Sequence, residues 1–235
     1  MTGRIGLLGG TFDPIHCGHV DVAAAAERAL GLTRVDFVTA HLPPHRNAPI
    51  ASAFHRFAMV ALAVAPHQGW RASDLELRSP EPSYTAATLA HVHGLGFAPA
   101  DIVFVIGADA FAEIATWYDY PRVLDAAHFA VVSRPGFPVA AMRDRVPQLA
   151  ARMTDGTGAA TDRGTWIFLI DARTADVSAT AIRGRLAAGE SIAGMVPPGV
   201  QQHIERHGLY STDSSRGEAR DAATLPAAGR LHGQN

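Results

Sequence analysis

Two histidines beside a run of glycines are the residues of this chain best suited to chemistry. Residues 9–19 read GGTFDPIHCGH, after the apolar residues 5–8 and before the alanine-rich residues 20–30. This pattern predicts a buried strand, a glycine-rich turn and a helix that begins near His16 and His19. Such a turn lets a ligand approach the backbone, and a helix amino terminus favours anions through its N–H groups and dipole. The segment therefore predicts a phosphate site.

The spacing of His16 and His19 leaves three interpretations open. Three residues apart, they share one face of a helix and could bind a metal ion. A metal site needs about three protein ligands, however, and the next histidines, His41 and His45, lie on a separate predicted loop. They could also be structural histidines at a helix start. Phosphate recognition is the third and favoured interpretation, because imidazole and backbone N–H groups together suit a polyphosphate.

The basic residues of the chain exclude two classes of site. All 20 are arginine and lysine is absent. A P-loop needs its lysine, and so does Schiff-base chemistry. Cys17 is the single cysteine, so an intrachain disulfide and a cysteine-based zinc site are excluded as well. We interpret Cys17 as a spectator in the loop, and we expect phosphate contacts from arginine, histidine, hydroxyl and backbone N–H groups.

The elements that must position these residues alternate between strand and helix patterns. This alternation predicts an α/β fold with a doubly wound parallel sheet, which binds ligands beyond the carboxyl ends of its strands. Ser52 and Ser178 are predicted helix N-caps. Residues 139–153 are predicted as a helix interrupted by Pro147, and residues 154–164 as a loop. After the first strand, further strands are expected at residues 34–40, 71–77, 101–106, 129–133 and 165–171.

Composition limits the size of the fold and the partners of the chain. The 235 residues, 48% of them hydrophobic, suit one sizeable domain, predicted over residues 1–210. Residues 211–235 lack apolar periodicity and are predicted to form a flexible tail. A net charge of −2 without a basic stripe argues against nucleic acid. The sequence has no membrane-length apolar run and no signal-peptide pattern, so we expect no membrane partner and a cytoplasmic location; monomer and homo-oligomer stay open.

Two motifs, in order along the chain, resemble the signatures of the nucleotidyltransferase α/β-phosphodiesterase superfamily. Residues 10–19, GTFDPIHCGH, resemble its (H/T)xGH signature, and residues 177–183, VSATAIR, resemble its ISSTxIR signature. Two departures are mild: Arg46 stands where lysine is common, and Val177 where isoleucine is common. Over residues 4–210 the chain is similar to bacterial nicotinate-nucleotide adenylyltransferases, through LPPHR at 42–46, PSYT at 82–85, TL at 88–89, GAD at 107–109, WY at 117–118 and SRPG at 133–136.

The resemblance implies a Rossmann-like nucleotidyltransferase fold and an enzyme of NAD biosynthesis. It would transfer AMP from ATP to nicotinate mononucleotide, giving deamido-NAD and pyrophosphate. The mononucleotide phosphate is already anionic, so in-line attack needs no base and no covalent intermediate, and catalysis is positioning and charge stabilisation. Mg²⁺ would be carried by the ATP phosphates, without a protein metal site. Two alternatives stay open: another acceptor, such as nicotinamide mononucleotide or phosphopantetheine, and a non-catalytic nucleotide-binding sensor.

The same resemblance implies roles for residues on the ATP side. His16 and His19 would contact the phosphates, with His19 nearest the reacting centre. Arg46 would reach the phosphates from the second loop, and Arg183 completes the four predicted catalytic residues. The predicted ATP-binding residues are Gly9, Gly10, Thr11, Phe12, His16, His19, Gly107, Asp109, Ser178, Thr180 and Arg183.

On the acceptor side, Trp117 would stack on the pyridine ring, or alternatively pack in the core. The N–H groups of Tyr84 and Thr85, at a helix start, would bind the nicotinate carboxylate and so select the acid over the amide. Asp109 would bind ribose hydroxyls or cap a helix, and Arg134 would meet the mononucleotide phosphate or lie solvated on the surface. The predicted acceptor-binding residues are Pro44, His45, Tyr84, Thr85, Asp109, Trp117, Tyr118 and Arg134.

Overall fold

A computed structural model describes residues 3–42, 48–79, 81–155 and 164–211. In these ranges the strands are β1 (Ile5–Gly10), β2 (Arg34–Thr39), β3 (Trp70–Ser73), β4 (Ile102–Gly107), β5 (His128–Val132), β6 (Met153–Asp155) and β7 (Ile167–Ile170). The helices are α1 (Cys17–Leu30), α2 (Ala53–Val64), α3 (Thr85–Gly94), α4 (Ala108–Phe111), α5 (Met142–Arg145), α6 (Ala179–Ala187) and α7 (Pro198–His207).

The strands form one sheet in the order β3-β2-β1-β4-β5-β7-β6. Every neighbouring pair is parallel. The chain winds outward from β1 through β2 and β3, then returns to place β4 on the other side of β1, so the strand order reverses between β1 and β4. This confirms the predicted doubly wound parallel sheet. Its switch point lies at Gly10 and Gly107, the last residues of those two strands, where such sheets bind ligands.

Two apolar clusters cover the two faces of the sheet. One packs α1, α2 and α7 against the sheet, and the other packs α3, α4 and α5 against the opposite face. The central strand β4 contributes to both, because successive side chains of a strand point to opposite faces. Val103 and Val105 belong to the first cluster, and Phe104 and Ile106 to the second. A continuous apolar run is what a strand buried on both faces requires.

The predicted helix caps are present. Ser52 Oγ accepts the N–H of His55 at 3.3 Å, and Ser178 Oγ accepts the N–H of Ala181 at 3.1 Å. Each hydroxyl satisfies an N–H group that has no partner inside the helix. The serine positions therefore determine where α2 and α6 begin, and α6 carries the second motif.

The predicted third strand ends earlier than residue 77. β3 stops at Ser73, whose Oγ accepts the N–H of Leu75 at 3.4 Å. The carbonyl of Asp74 then accepts the N–H of Leu77 at 2.9 Å, and Glu76–Arg78 form a 3₁₀ turn. Serine and aspartate promote such turns by local hydrogen bonds, and here this preference outweighs the alternating pattern.

The helix predicted for residues 139–153 is wrong. Only α5 is α-helical; 3₁₀ turns flank it at Val139–Ala141 and Pro147–Arg152. Pro147 has no N–H to continue the helix. Residues 153–155, predicted as the end of the helix and the start of a loop, form the edge strand β6, with Met153 opposite Ile167. Three residues carry too little periodicity to predict a strand.

Two expectations concern parts of the chain beyond this sheet. None of the helices that the structure describes is both long and apolar enough to cross a membrane. Residues 212–235 of the predicted tail, like residues 156–163 of the predicted loop, lie outside the described residues.

Candidate active site

The loop that joins β1 to α1, residues 11–16, lies at the switch point of the sheet. Its Phe12 has a φ of +51° and a buried side chain. A Cβ at Gly10 would stand 2.8 Å from the Phe12 ring, so only glycine leaves room for that ring. The edge of Phe12 packs against His19, with ring centroids 5.1 Å apart. Glycine at position 10 therefore allows the Phe12 ring to pack against His19, a predicted catalytic residue.

His16 and His19 stack on each other at the start of α1. Their ring centroids are 3.7 Å apart, and the backbone N–H of His16 donates to His19 Nδ1 at 3.2 Å. Because Nδ1 accepts, neutral His19 carries its hydrogen on Nε2. Burial, and secondly the charge of Arg134, lowers the pKa of His16 to about 4. His16 is therefore a neutral imidazole at pH 7.

His16 also has a buried polar atom without a protein partner. Its Nδ1 makes no hydrogen bond to any of the described residues, although the side chain is only 4% exposed. A Cβ at Gly18 would stand 3.1 Å from this nitrogen and 2.3 Å from Arg134 Nη1. Glycine at position 18 thus lets the imidazole and the guanidinium share the space above α1.

The second motif contacts the first through Arg183. Its Nη1 donates to the main-chain carbonyl of Asp13 at 2.6 Å, across 170 residues of sequence, and its Nη2 lies 3.4 Å from Thr180 Oγ1. Ser178 and Thr180 are exposed at the start of α6. The Ser178 oxygen accepts an N–H as the N-cap of that helix, and its O–H can still donate to an anion.

Arg134 lies between the two motifs and is half-buried. Its Nη2 donates to the carbonyl of Val177 at 3.1 Å and its Nη1 approaches that of Ala175 at 3.5 Å. Asp21 Oδ2 accepts the N–H of the same Ala175 at 2.8 Å. These bonds hold the segment before Ser178 against α1. Arg134 is therefore not a solvated surface arginine, and its charge acts on His16.

Gly107 and Asp109 follow β4 at the other side of the switch point. A Cβ at Gly107 would stand 2.5 Å from Asp109 Oδ1 and 3.0 Å from Arg134 Cγ. Gly107, not Asp109, is the N-cap residue of α4, and Asp109 is exposed in the first turn of that helix. The capping alternative for Asp109 is therefore wrong, and its carboxylate is accessible.

The predicted acceptor residues form a more open group around the start of α3. Tyr84 is the N-cap residue of α3 and Thr85 its first residue. The N–H of Tyr84 donates to the carbonyl of Pro82 at 2.9 Å, so the prediction that this N–H binds the nicotinate carboxylate is wrong. The rings of Tyr84 and Tyr118 lie 4.6 Å apart, and Tyr118 is 62% exposed. Trp117 is half-buried; its ring meets the edge of Phe104 at 6.0 Å and packs on the core. Trp117 thus combines core packing with an accessible surface.

The loop after β2 is joined to this acceptor region by backbone contacts. The N–H of His41 donates to Ser83 Oγ, and the N–H of Ser83 donates to the carbonyl of Leu42, both at 2.9 Å. Three predicted residues of that loop lie outside the described part of the chain: Pro44, His45 and Arg46.

The described residues contain no cluster of His, Cys, Asp and Glu side chains arranged to hold a metal ion. Cys17 is half-buried, and burial, followed by the charge of Asp21, raises the pKa of its thiol. A raised pKa disfavours the thiolate, which is the nucleophilic form. The geometry thus agrees with the interpretation of Cys17 as a spectator.

Sequence patterns did not predict three polar residues that hold the loop after β1: Asp13, Arg56 and Tyr210. Arg56 is 1% exposed; its Nη1 donates to the carbonyls of Thr11 and Ala40, each at 2.7 Å. One signal was available: Arg56 lies three and four residues before Met59 and Val60, so it shares the buried face of α2. Asp13 and Tyr210 carried no comparable periodic signal.

Comparison with known proteins shows which proteins this chain resembles in sequence. The cytidylyltransferase-like family matches residues 7–185. A Desulfatibacillum aliphaticivorans protein named "probable nicotinate-nucleotide adenylyltransferase" is 39% identical over 217 residues, which is 88% of this chain and 99% of that protein. A Thermus thermophilus protein of the same name is 39% identical over 208 residues, 88% of this chain and 99% of that protein.

Among solved structures, the nicotinic acid mononucleotide adenylyltransferase of Plasmodium falciparum complexed with NaAD has a similar fold. Its TM-score is 0.66 at 17% identity, over 88% of this chain and 97% of that one. This likeness supports the Rossmann-like nucleotidyltransferase fold. With the two motifs joined at the switch point and near full-length relatives at 39% identity, the chain belongs to the nicotinate-nucleotide adenylyltransferase family.

Proposed function

We propose that this protein transfers AMP from ATP to nicotinate mononucleotide, producing deamido-NAD and pyrophosphate. The observation that carries the proposal is the contact between Arg183 and the Asp13 carbonyl, which brings the second motif onto the loop of the first. That loop begins where the sheet reverses its strand order. The choice of nicotinate mononucleotide as the acceptor follows from the relatives of this chain, several of which bear the name probable nicotinate-nucleotide adenylyltransferase.

On the ATP side, neutral imidazole groups and positively charged arginine side chains would together bind the phosphates. In the tautomer that its Nδ1 contact favours, His19 carries its hydrogen on Nε2, which would be the donor to a phosphate oxygen. His16 would use its buried Nδ1, for which a ligand contact would remove the cost of an unpaired polar atom. Arg183 and Arg134 supply positive charge, and α1 has no acidic residue in its first turn to oppose an anion.

Catalysis by these residues would be stabilisation of charge rather than proton transfer. The attacking mononucleotide oxygen is already anionic, and the pyrophosphate leaving group gains negative charge as the α-phosphorus is transferred. Imidazole and guanidinium donors that are held in place before ATP binds do not reorganise during the reaction. The stacking of His16 on His19 and the Arg183 contact provide that fixed arrangement.

Mg²⁺ would be bound by the ATP phosphates and water, where it neutralises phosphate charge. The described residues fit this role because they offer no carboxylate cluster of their own. On the acceptor side, the N–H of Thr85 in the first turn of α3 would bind the nicotinate carboxylate, and Trp117 would cover the pyridine ring. An amide in place of the carboxylate would lose charge-assisted hydrogen bonds, so we expect preference for the acid.

Pyrophosphate release tests the proposal. The protein is incubated with ATP and Mg²⁺ and, in parallel, with nicotinate mononucleotide, nicotinamide mononucleotide or phosphopantetheine. We expect release that depends on the nicotinate acceptor and a new dinucleotide product. Release only with phosphopantetheine would assign the protein to a different acceptor, and ATP binding without release in any reaction would indicate a sensor. A cytoplasmic location and the oligomeric state stay predictions.

A further inference from the structure

The buried carboxylate of Asp13 connects three parts of the chain. The side chain is 6% exposed, and its oxygens accept the N–H of Ile50 at 2.8 Å and the N–H of Ala51 at 3.1 Å. Both donors precede α2. A third donor, the Tyr210 hydroxyl, reaches Asp13 Oδ1 at 2.7 Å from the far end of the described chain. A buried carboxylate needs such donors, so their loss has a large effect.

Tyr210 is held in an unusual backbone conformation. It follows α7 with a φ of +66°, a region that residues other than glycine seldom adopt, and it is 6% exposed. Burial, followed by the charge of Asp13, raises the pKa of its hydroxyl, which therefore stays protonated and donates. The conformation costs free energy and persists where surrounding contacts require it.

The main chain of Asp13 is also the anchor of Arg183, a predicted catalytic residue. Arg183 Nη1 donates to the Asp13 carbonyl at 2.6 Å, and its charge acts on the Tyr210 hydroxyl. Asp13 thus accepts a hydrogen bond from Tyr210 on its side chain and one from Arg183 on its main-chain carbonyl. A shift of Asp13 would move the acceptor on which Arg183 depends.

Arg56 fixes the loop through hydrogen bonds of its own, while its charge acts on both Asp13 and Tyr210. It donates to the carbonyls of Thr11 and Ala40 and, through Nε at 3.3 Å, to that of Ala51. Because Arg56 holds the Thr11 carbonyl and Tyr210 holds the Asp13 side chain, we expect loss of the Tyr210 hydroxyl to act mainly on Asp13.

We propose that Tyr210 is a positioning residue for ATP, which acts through the Asp13 carboxylate to hold Arg183 against the triphosphate. This inference rests on the proposed function. The hydroxyl fixes the Asp13 side chain, and the Asp13 carbonyl fixes one guanidinium nitrogen of Arg183. The other guanidinium nitrogen, which lies beside Thr180, would then reach the phosphates. The carboxyl end of the domain, far from the two motifs in sequence, is then part of the ATP site.

A double-mutant cycle on the full chain tests this inference, with ATP binding in the presence of Mg²⁺ measured by calorimetry. The variants are Tyr210→Phe, Arg183→Lys and the two combined; lysine retains a cation but not the forked donor. We expect Tyr210→Phe alone to weaken ATP binding about fivefold to tenfold, the size of one hydrogen bond. In the Arg183→Lys background the same change should weaken binding less than about twofold, because the residue through which it acts has been altered.

Tyr120→Phe is the matched control, since its hydroxyl has no hydrogen bond among the described residues and it packs in the other apolar cluster. We expect it to leave ATP affinity unchanged. If Tyr210→Phe does not fold, Asp13→Asn, which retains side-chain volume but not charge, replaces it in the cycle with the same expected coupling.

Two results would overturn the inference: equal loss of affinity in both Arg183 backgrounds, or a lower Tm for Tyr210→Phe with unchanged ATP affinity. The cycle needs no acceptor, so it separates this inference from the proposed function. Coupling without pyrophosphate release would contradict the acceptor assignment and support the role of Tyr210. Absence of ATP binding by the wild-type protein would contradict both.

Discussion

The predicted ATP side and the predicted acceptor side of this site are built differently. On the ATP side, the loop after β1 is fixed by buried polar contacts from α2, α6 and the segment after α7. On the acceptor side, Tyr84, Tyr118 and Asp109 lie on helix starts and turns, and Tyr118 and Asp109 are exposed. Of the predicted acceptor residues that the structure describes, Trp117 is the one that packs against an apolar cluster of the core.

The difference has a chemical reason. Transfer at a phosphorus atom without a base or covalent intermediate relies on donors that are already in place, which requires a rigid support. The acceptor contributes its own anionic nucleophile, so its side must bind and orient but need not activate. Rigid contacts are therefore expected where charge develops, and a more open surface where the acceptor enters.

The largest effect is expected from His19→Ala, because His19 is predicted to be the donor nearest the reacting centre. Turnover should fall about 10²- to 10³-fold, as on loss of one transition-state donor. The measurement is kcat for pyrophosphate release. His67→Ala is the control. His67 precedes β3 and stacks on Trp70, the first residue of that strand, so it lies at the amino ends of the strands and not at the carboxyl ends that carry the site. Wild-type turnover of His19→Ala would refute the role assigned to it.

Arg56→Met tests the rigidity of the ATP side through stability. The change leaves the carbonyls of Thr11, Ala40 and Ala51 without their buried donor, so we expect unfolding free energy to fall by about 3 kcal/mol. Chemical denaturation measures it. Arg122→Met is the matched control near the acceptor residues; this side chain is 85% exposed, and the change should stay within about 0.5 kcal/mol. An equal loss of unfolding free energy in Arg56→Met and Arg122→Met would contradict the difference in rigidity between the two sides of the site.

Two buried histidines predict how stability depends on pH without ATP. Burial lowers the pKa of both His16 and His128 to about 4, aided by Arg134 and Arg4 respectively. Below pH 6.5 the unfolded chain binds protons that the folded chain does not, so stability falls between pH 6.5 and 4. The loss should approach about 3 kcal/mol for each histidine.

His128 lies at the amino end of β5, away from the site. A variant at this position therefore separates the contribution of His128 to the pH dependence of stability from that of His16. His128 Nδ1 accepts the N–H of Trp166 at 2.8 Å, a bond that the amide oxygen of His128→Asn can replace. We expect this variant to lose about half of the pH dependence, measured by denaturation at several pH values. Burial, with help from His207 and His55, also lowers the pKa of His203 and acts in the same direction. A stability profile that is flat over this range would contradict the burial of both imidazoles.

The smallest effect is expected from Trp117→Ala on the acceptor side. Loss of ring stacking should raise the KM for nicotinate mononucleotide about tenfold, with the KM for ATP changed less than about twofold. Steady-state kinetics with each substrate varied in turn measures the split. Weaker ATP binding with an unchanged acceptor KM, or a lower Tm alone, would place Trp117 on the ATP side or in the core.

Much of this protein could be predicted from local signals in its sequence. Apolar runs predicted the parallel sheet, Ser52 and Ser178 indicated helix starts, and the glycines at the end of β1 indicated the turn that follows it. These signals are local because capping, turn formation and strand burial each depend on a few neighbouring residues. The spacing of His16 and His19 likewise pointed to one face at a helix start, as their stacking shows.

Tertiary structure alone decided which distant residues support the site. The bonds from Tyr210 to Asp13 and from Arg183 to the Asp13 carbonyl span 197 and 170 residues, and no periodicity links such positions. The short edge strand β6 has the same origin, since its pairing with β7 and not its own pattern makes it a strand. Local sequence predicted what each segment forms and which residues could bind phosphate. Long-range polar contacts, whose energy depends on burial that only the folded chain creates, determined how the loop after β1 is held.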